Sequence, residues 1–369
     1  MSMDMIMFQP NLELKGGVEN VMRHIAKKYD PIIYTFRYNK EKTWPEFKDY
    51  DVRVIKEYGM GPVSGKFFTF NTARGFYNFK VKDDYDIINA HWGPSHWVRK
   101  NNPRVLWYCH SPVRAMYDLY DQRMKEFSLP AKAGLYFYSK YYRARNAQIV
   151  GDIEKVLCNS RNVQNRLIKY FDKRADVVYP GVDINEFLTG EYKKYFLVAG
   201  RITSGKRIEM AIEAFSLIRE KFPEFKLVIA GSVLDSDAWY VEKLRAYGIA
   251  DIKTNLSIDK YQELCSNAYA HLFTAYNEDF GIAPLEGMAC GKPVISINEG
   301  GPKETIVDGK TGYLVSGAGE MALRMEELVM NESLVADIGK RGRLHVKENF
   351  SWTKFIEGFD KGVREVLRR

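Results

Sequence analysis

The sequence predicts an α/β protein made of two successive doubly wound parallel-sheet domains, and three observations carry that prediction. Short β-rich runs alternate with helical stretches in both halves of the chain, the rhythm of strands joined by helical crossovers in a parallel sheet. The segment DVVYPGVDINEF (176–187) holds a Pro-Gly break and a polar flank, the composition of a boundary between domains. The 369 residues suit about two domains, each able to bury its own core.

Taken in order, MIMF (5–8) is the first strand and GGVENVMRHIAKKY the helix behind it. PIIYTF (31–36), DIINAHW (86–92) and RVLWYCH (104–110) are the next strands, while 37–85 has an irregular pattern. RAMYDLYDQRMKEF (114–127) and LYFYSKYYRARNAQIVGD (135–152) read as helices rich in Tyr and Arg. KVLCNS (155–160) reads as a strand ending in a polar turn and NVQNRLIKYF as the following helix. The second series runs KYFLVAGR (194–201), helix RIEMAIEAFSLIREKF, strand KLVIAG (226–231), helix AWYVEKLRAYG, strand IKTNLS, helix DKYQELCSNA and strand AHLFTA (270–275). PLEGMAC (284–290), PVISI (293–297), a Gly-Gly-Pro turn and YLVSG continue it. The tail SWTKFIEGFDKGVREVLRR places Trp352, Phe355, Ile356, Phe359, Val363 and Val366 about a turn apart, as an amphipathic helix does.

Composition narrows the class. No apolar run approaches the roughly 20 residues that cross a bilayer, and MSMDMIMFQP lacks the basic and long apolar regions of a signal peptide. The expectation is a cytoplasmic protein. Cys109, Cys158, Cys265 and Cys290 have no CxxC spacing, so they are expected as buried reduced thiols and not as zinc ligands or a redox pair. A net charge of +8 attracts polyanions, whether nucleic acid, an anionic membrane face or a phosphate-bearing substrate.

Ligands of open α/β sheets bind beyond the carboxyl ends of the strands, so the strand-to-helix turns hold the candidates. Gly16 and Gly17 precede a helix whose first N–H groups would stay uncovered, a geometry that suits a phosphate; a glycine turn without a ligand competes with that reading. Arg201 leaves the end of a buried strand and Lys206 lies beside the next helix. Together they can clamp a diphosphate and stabilise a leaving group. The strand AHLFTA delivers Glu278 into a turn in which Gly281 adds flexibility, and Pro284 can start a helix with Glu286 in its first turn. Glu286 either binds ribose hydroxyls or simply complements the helix dipole. Gly300, Gly301 and Pro302 make another such turn, with Glu304 behind it. His110 ends one strand and His91 another; His110 is the stronger candidate.

GGVEN, YCHSPVR, CNSRNVQNRLIKYF, VVYPGVD, GRITSGK, EDFGIAPLEGMACGKPVI and GGPKETIVDGKTGYLV follow one another along nearly the whole chain. In that order they resemble the retaining glycosyltransferases of family 4, whose E-x7-E motif Glu278 and Glu286 match. The resemblance implies the GT-B fold, two Rossmann-like domains facing a central cleft. It implies an N-terminal acceptor-binding domain (1–180), a C-terminal nucleotide-sugar-binding domain (181–350) and a final helix (351–369) crossing back to the first domain. It also implies transfer of a hexosyl unit, mannose or glucose, from a nucleotide-diphosphate sugar to a hydroxyl of a glycan or lipid-linked glycan. In the implied site Arg201 and Lys206 hold the diphosphate, Glu286 the ribose, and the amides of Phe280, Gly281 and Ile282 the sugar and phosphate. Glu278 contacts the donor sugar near the reacting carbon, His110 lines the same pocket, and Gly16 or Gly17 closes on the phosphates. No cofactor or metal is expected. The acceptor is the least transferable part of the resemblance, because 37–85 follows no clear pattern.

Two other classes compete: a sugar-nucleotide epimerase on the same fold, and a basic nucleic-acid-binding protein. No nucleic-acid motif is visible. The basic residues are therefore read as facing an anionic membrane surface, at the inner membrane face, or a phospholipid-linked acceptor.

Overall fold

The computed structural model describes residues 3–56 and 68–368. The chain divides into two compact units, Met1–Tyr179 with Phe355–Arg369, and Pro180–Lys354.

In the first unit the strands are β1 (Met5–Phe8), β2 (Asn11–Leu12), β3 (Ile32–Thr35), β4 (Arg37–Tyr38), β5 (Val52–Val54), β6 (Ile87–Ala90), β7 (Val105–Cys109), β8 (Lys155–Cys158) and β9 (Asp176–Val177). Among the described residues, seven of them form a parallel sheet in the order β5-β3-β1-β6-β7-β8-β9, and β2 pairs with β4. The central strands β1, β6 and β7 are buried along their whole length, because helices cover both faces of a parallel sheet. That is why these stretches read as continuous apolar runs and not as an alternating pattern. The irregular stretch contributes the edge strand β5 and a helix, Phe68–Asn78; residues 57–67 of it lie outside the described residues.

The expected helix over 114–127 is only half realised. A single 3-10 turn, Arg114–Met116, precedes a short helix, Tyr120–Glu126, and Tyr117 between them has non-helical backbone angles. The next helix begins six residues earlier than the pattern predicts and spans Leu129–Asp152. The tail forms the helix Trp352–Leu367. From Phe355 onward it packs within the first unit: Phe355 and Phe359 are fully buried, Tyr108 meets Phe355 edge-on at 5.5 Å, and Lys28 and Tyr29 both bond Asp360.

The second unit holds β10 (Tyr195–Ala199), β11 (Lys226–Gly231), β12 (Ala250–Thr254), β13 (Ala270–Phe273), β14 (Val294–Ile297) and β15 (Tyr313–Val315). They form a parallel sheet in the order β12-β11-β10-β13-β14-β15. Two long helices that the sequence pattern leaves unassigned, Ala318–Met330 and Glu332–Asn349, bury Met321, Met325, Leu328, Val335 and Ile338 in its core. All four cysteines are buried and free. No helix among the described residues is long and apolar enough to cross a membrane.

Candidate active site

In the second unit the chain winds outward from β10 in one direction through β11 and β12 and in the other through β13, β14 and β15. The switch of direction falls between β10 and β13, where an open α/β sheet makes its crevice. The two strands pair only at Phe196–Ala270 and Leu197–His271, whereas β10 pairs with β11 along its full length. They part before their carboxyl ends, and the loops that follow them, 200–206 and 274–281, carry the candidate residues.

After β10, Arg201 is exposed, and among the described residues its guanidinium has no hydrogen-bond or ion-pair partner. A 3-10 turn, Ser204–Lys206, then brings Lys206 to Glu278, with Nζ 2.6 Å from Oε2. The sequence reading gave these two residues to different parts of a ligand; the structure pairs them with each other. Both are about a quarter exposed, so the pair is open to a ligand that competes for either charge. The Thr274 hydroxyl donates to the Lys206 carbonyl at 2.7 Å, joining the two loops at their bases.

After β13, the loop ends in Gly281, which caps the helix Ile282–Ala289 with φ 81 and ψ 79. The N–H groups of Ile282 and Ala283 have no acceptor inside the helix and sit at its positive end. The helix starts two residues ahead of Pro284, so Glu286 stands in the second turn and not, as expected, in the first. The dipole therefore contributes little to it. Burial pushes its carboxyl up to about 7, against the Tyr261 hydroxyl, which donates to Oε2 at 3.1 Å and holds it down; Glu186 adds to the rise and Lys206 opposes it.

Two features that hold this loop escape a sequence-based reading. Arg207, in the left-handed region at φ 47, donates to the Thr274 carbonyl at 3.0 Å and to Glu299 Oε2 at 3.0 Å; the same oxygen accepts the Asn277 N–H at 3.1 Å. Arg207 and Glu299 are 92 positions apart, so only the sheet order brings them together. The Gly300-Gly301 pair, read above as one more strand-to-helix turn, is the seat of the loop. The Gly301 N–H bonds the Glu278 carbonyl at 2.9 Å. A Cβ on Gly300 would lie 2.3 Å from the Glu278 carbonyl oxygen, and one on Gly301 2.1 Å from that of Phe280. Only glycine allows backbones so close.

In the first unit the direction switches between β1 and β6. Gly16 precedes the helix Gly17–Tyr29, as expected, but its N–H is not uncovered: it donates to Glu19 Oε2 at 3.2 Å. The buried Glu19 carboxylate also accepts Gln9 Nε2 at 3.4 Å. A glutamate three residues past a helix cap reaches back to the cap amide, a signal that GGVE carries in the sequence. Gly17 has open space where a Cβ would stand.

His91 and His110 form one unit. His91 Nδ1 lies 3.1 Å from His110 Nε2, and the rings are 5.4 Å apart and nearly parallel. Burial lowers His110 to about 3 and His91 well below its ordinary value, the latter with help from His110, so both rings are neutral and one donates to the other. Among the described residues no partner reaches the buried His91 Nε2. A stranded N–H is a worse burial than a stranded lone pair, because a donor has a single bond to make. The proton is accordingly assigned to His91 Nδ1, which leaves His110 protonated on Nδ1 as a neutral hydrogen-bond donor.

Comparison with known proteins agrees with this geometry. Residues 15–186 match the family described as Glycosyltransferase Family 4, and residues 183–345 the one described as Glycosyl transferases group 1. Alpha-1,3/1,6-mannosyltransferase ALG2 of Dictyostelium discoideum is 26% identical over 309 residues, 72% of this chain and 71% of that protein. The Candida glabrata protein of the same name is 24% identical and covers 96% of this chain and 91% of its own length. Among solved structures, sucrose-phosphate synthase from Thermosynechococcus elongatus superposes with a TM-score of 0.77 at 18% identity over 99% of both chains. Anabaena Alr3699/HepE, in complex with UDP and glucose, gives 0.71 at 18% identity over 97% of this chain and 98% of its own. These likenesses in structure establish the GT-B fold.

Proposed function

Because the chain belongs to glycosyltransferase family 4, we propose that it is a retaining, metal-independent hexosyltransferase that uses a nucleotide-diphosphate sugar and a glycan or lipid-linked glycan acceptor. The observation that carries the proposal is the Lys206–Glu278 pair at the switch point, 2.6 Å apart, on the two loops that also carry Arg201 and lead into the positive end of the helix Ile282–Ala289. That grouping offers cations and amides to a diphosphate and a carboxylate to a sugar within one crevice. The name of the ALG2 relatives favours mannose over glucose as the sugar, and the complex of Alr3699/HepE with UDP-glucose illustrates the class of donor.

In the proposed reaction the bond from the anomeric carbon to the diphosphate breaks and a bond to the acceptor oxygen forms on the same face. The acceptor proton passes to the departing diphosphate. Arg201 and Lys206 stabilise the charge growing on the leaving group, the amides of Phe280, Gly281 and Ile282 hold sugar and phosphate, and Glu278 orients the sugar hydroxyls. Glu286 accepts from the ribose hydroxyls. Gly16, Gly17 and His110 are proposed as further donor contacts on the resemblance alone.

The test is a thermal-shift screen with GDP-, UDP- and ADP-sugars. A ligand that binds only the folded state raises the melting temperature with the logarithm of its concentration. One nucleotide series is expected to stabilise the protein, less so in Lys206→Met. No stabilisation by any of the three would refute the proposal, and turnover of the sugar nucleotide without an acceptor would mark an epimerase instead.

A further inference from the structure

The helix Leu129–Asp152 is 24 residues long, about 36 Å at 1.5 Å per residue. Its inward face is settled: Ser139, Tyr142, Asn146, Ile149 and Val150 are buried. Its outward face ought to be polar, as on an ordinary surface helix. Instead Leu129 is 81% exposed, Phe137 70%, Tyr141 47% and Tyr136 41%, with Phe127 at 40% just before the helix. At a helical pitch Leu129, Tyr136, Phe137 and Tyr141 share one side. Scattered exposed apolar residues are normal, but a contiguous aromatic and aliphatic face marks an interaction surface.

Charge selects the partner. From residue 127 to 148 there is no Asp or Glu, while Lys132, Lys140, Arg143 and Arg145 supply four cations. Arg143 turns inward to the Met116 carbonyl. Lys140 and Arg145 are exposed; Lys140 Nζ lies 4.5 Å from the Tyr136 centroid, and the Arg145 guanidinium lies 5.9 Å from that of Tyr141 and 5.7 Å from that of the half-buried Tyr77. Apolar side chains at the outermost level with cation-bearing stems folded among aromatic rings is the arrangement of a segment lying in a bilayer interface.

We propose that this face docks on an anionic lipid bilayer, with Leu129, Phe137 and Tyr141 entering the headgroup boundary and Lys140 and Arg145 meeting lipid phosphates. The expectation of membrane contact from overall charge named no surface; the structure assigns one, and the assignment is independent of the donor-site reading.

The test is co-sedimentation of the full chain with phosphatidylcholine vesicles, with and without about 30 mol % phosphatidylglycerol. Binding is expected only to the anionic vesicles and is expected to fall as salt rises. The double variant Leu129→Ser, Phe137→Ser should weaken it about tenfold or more, and Lys140→Glu, Arg145→Glu should abolish the preference for phosphatidylglycerol. Neither should lower the melting temperature, since these side chains are exposed. Equal binding to both vesicle types, or variants that bind as the wild type does, would overturn the proposal. So would a concentration-dependent dimer in sedimentation velocity that the Leu129→Ser, Phe137→Ser variant dissolves, because a second copy would then be what covers the face.

Discussion

Glu286→Gln tests the site through stability as well as binding. In the wild type the carboxyl is raised from 4.5 to about 7, chiefly by burial, so the folded state holds its proton more tightly than the unfolded chain does. The sign follows from that difference. The stability contributed by the bound proton is fully present below about pH 4.5 and is lost as pH rises through 7. At about 1.4 kcal/mol per pKa unit, ionising Glu286 removes about 3 kcal/mol of stability at most. Glutamine keeps the shape and an oxygen for the Tyr261 hydroxyl but has no charge to bury. The variant should therefore match the wild type near pH 4.5 and be more stable at pH 8. For a unit the size of Pro180–Lys354, about 2–4 °C in melting temperature per kcal/mol makes the gain about 6–12 °C at most. Scanning calorimetry at the two pH values reads it directly. Titration calorimetry should show the opposite trend in function: losing a charged acceptor for the ribose weakens donor affinity by about 10- to 100-fold. A variant no more stable than the wild type at pH 8 would refute the burial argument, and unchanged donor affinity would remove Glu286 from the ribose.

Three further outcomes are expected. Lys206→Met removes the cation beside Glu278 and should lower kcat about 10²- to 10³-fold; a wild-type rate of nucleotide release would place the diphosphate clamp elsewhere. Gly301→Ala adds a Cβ 2.1 Å from the Phe280 carbonyl oxygen at a φ of −61, which alanine tolerates. The effect is purely steric, a displaced 277–281 loop at about 1–3 kcal/mol, read as a raised KM for the donor and a lowered melting temperature; neither changing would refute the close packing. His91→Asn keeps an N–H toward His110 Nε2, whereas His91→Phe removes it. Nitrogen-15 shifts of the imidazoles should show His110 protonated on Nδ1 in the wild type and in His91→Asn. Loss of that tautomer is expected only in His91→Phe; a wild-type His110 bare on Nδ1 would reverse the assignment.

The local order of the chain determined a great deal by itself. The apolar runs at 5–8, 104–110, 226–231 and 270–275 announce buried parallel strands because such strands have no polar face to interrupt them. The turns behind them announce the candidate residues, because ligands of such sheets meet the carboxyl ends. Where two local preferences balanced, the pattern misplaced the outcome: Pro284 can open a helix, yet Gly281 caps it in the left-handed region, and Glu286 moves to the second turn. Glu19 meets the Gly16 amide across only three residues, a local contact that the expectation of uncovered amides passed over.

Contacts between distant segments had no such signal. The partner of Lys206 is 72 positions away and that of Arg207 is 92, and each pairing exists because β10, β13 and β14 are neighbours in the sheet. The seat that Gly300 and Gly301 give to the loop of Glu278 and Phe280, and the shared proton of His91 and His110, arise in the same way. Residue types and spacings along the chain specified which elements form and which turns bear chemistry, for these depend on local sterics and periodic burial. Which charges meet, which amide is covered and which histidine nitrogen carries the proton were decided only when the tertiary structure brought residues far apart in sequence within hydrogen-bonding distance.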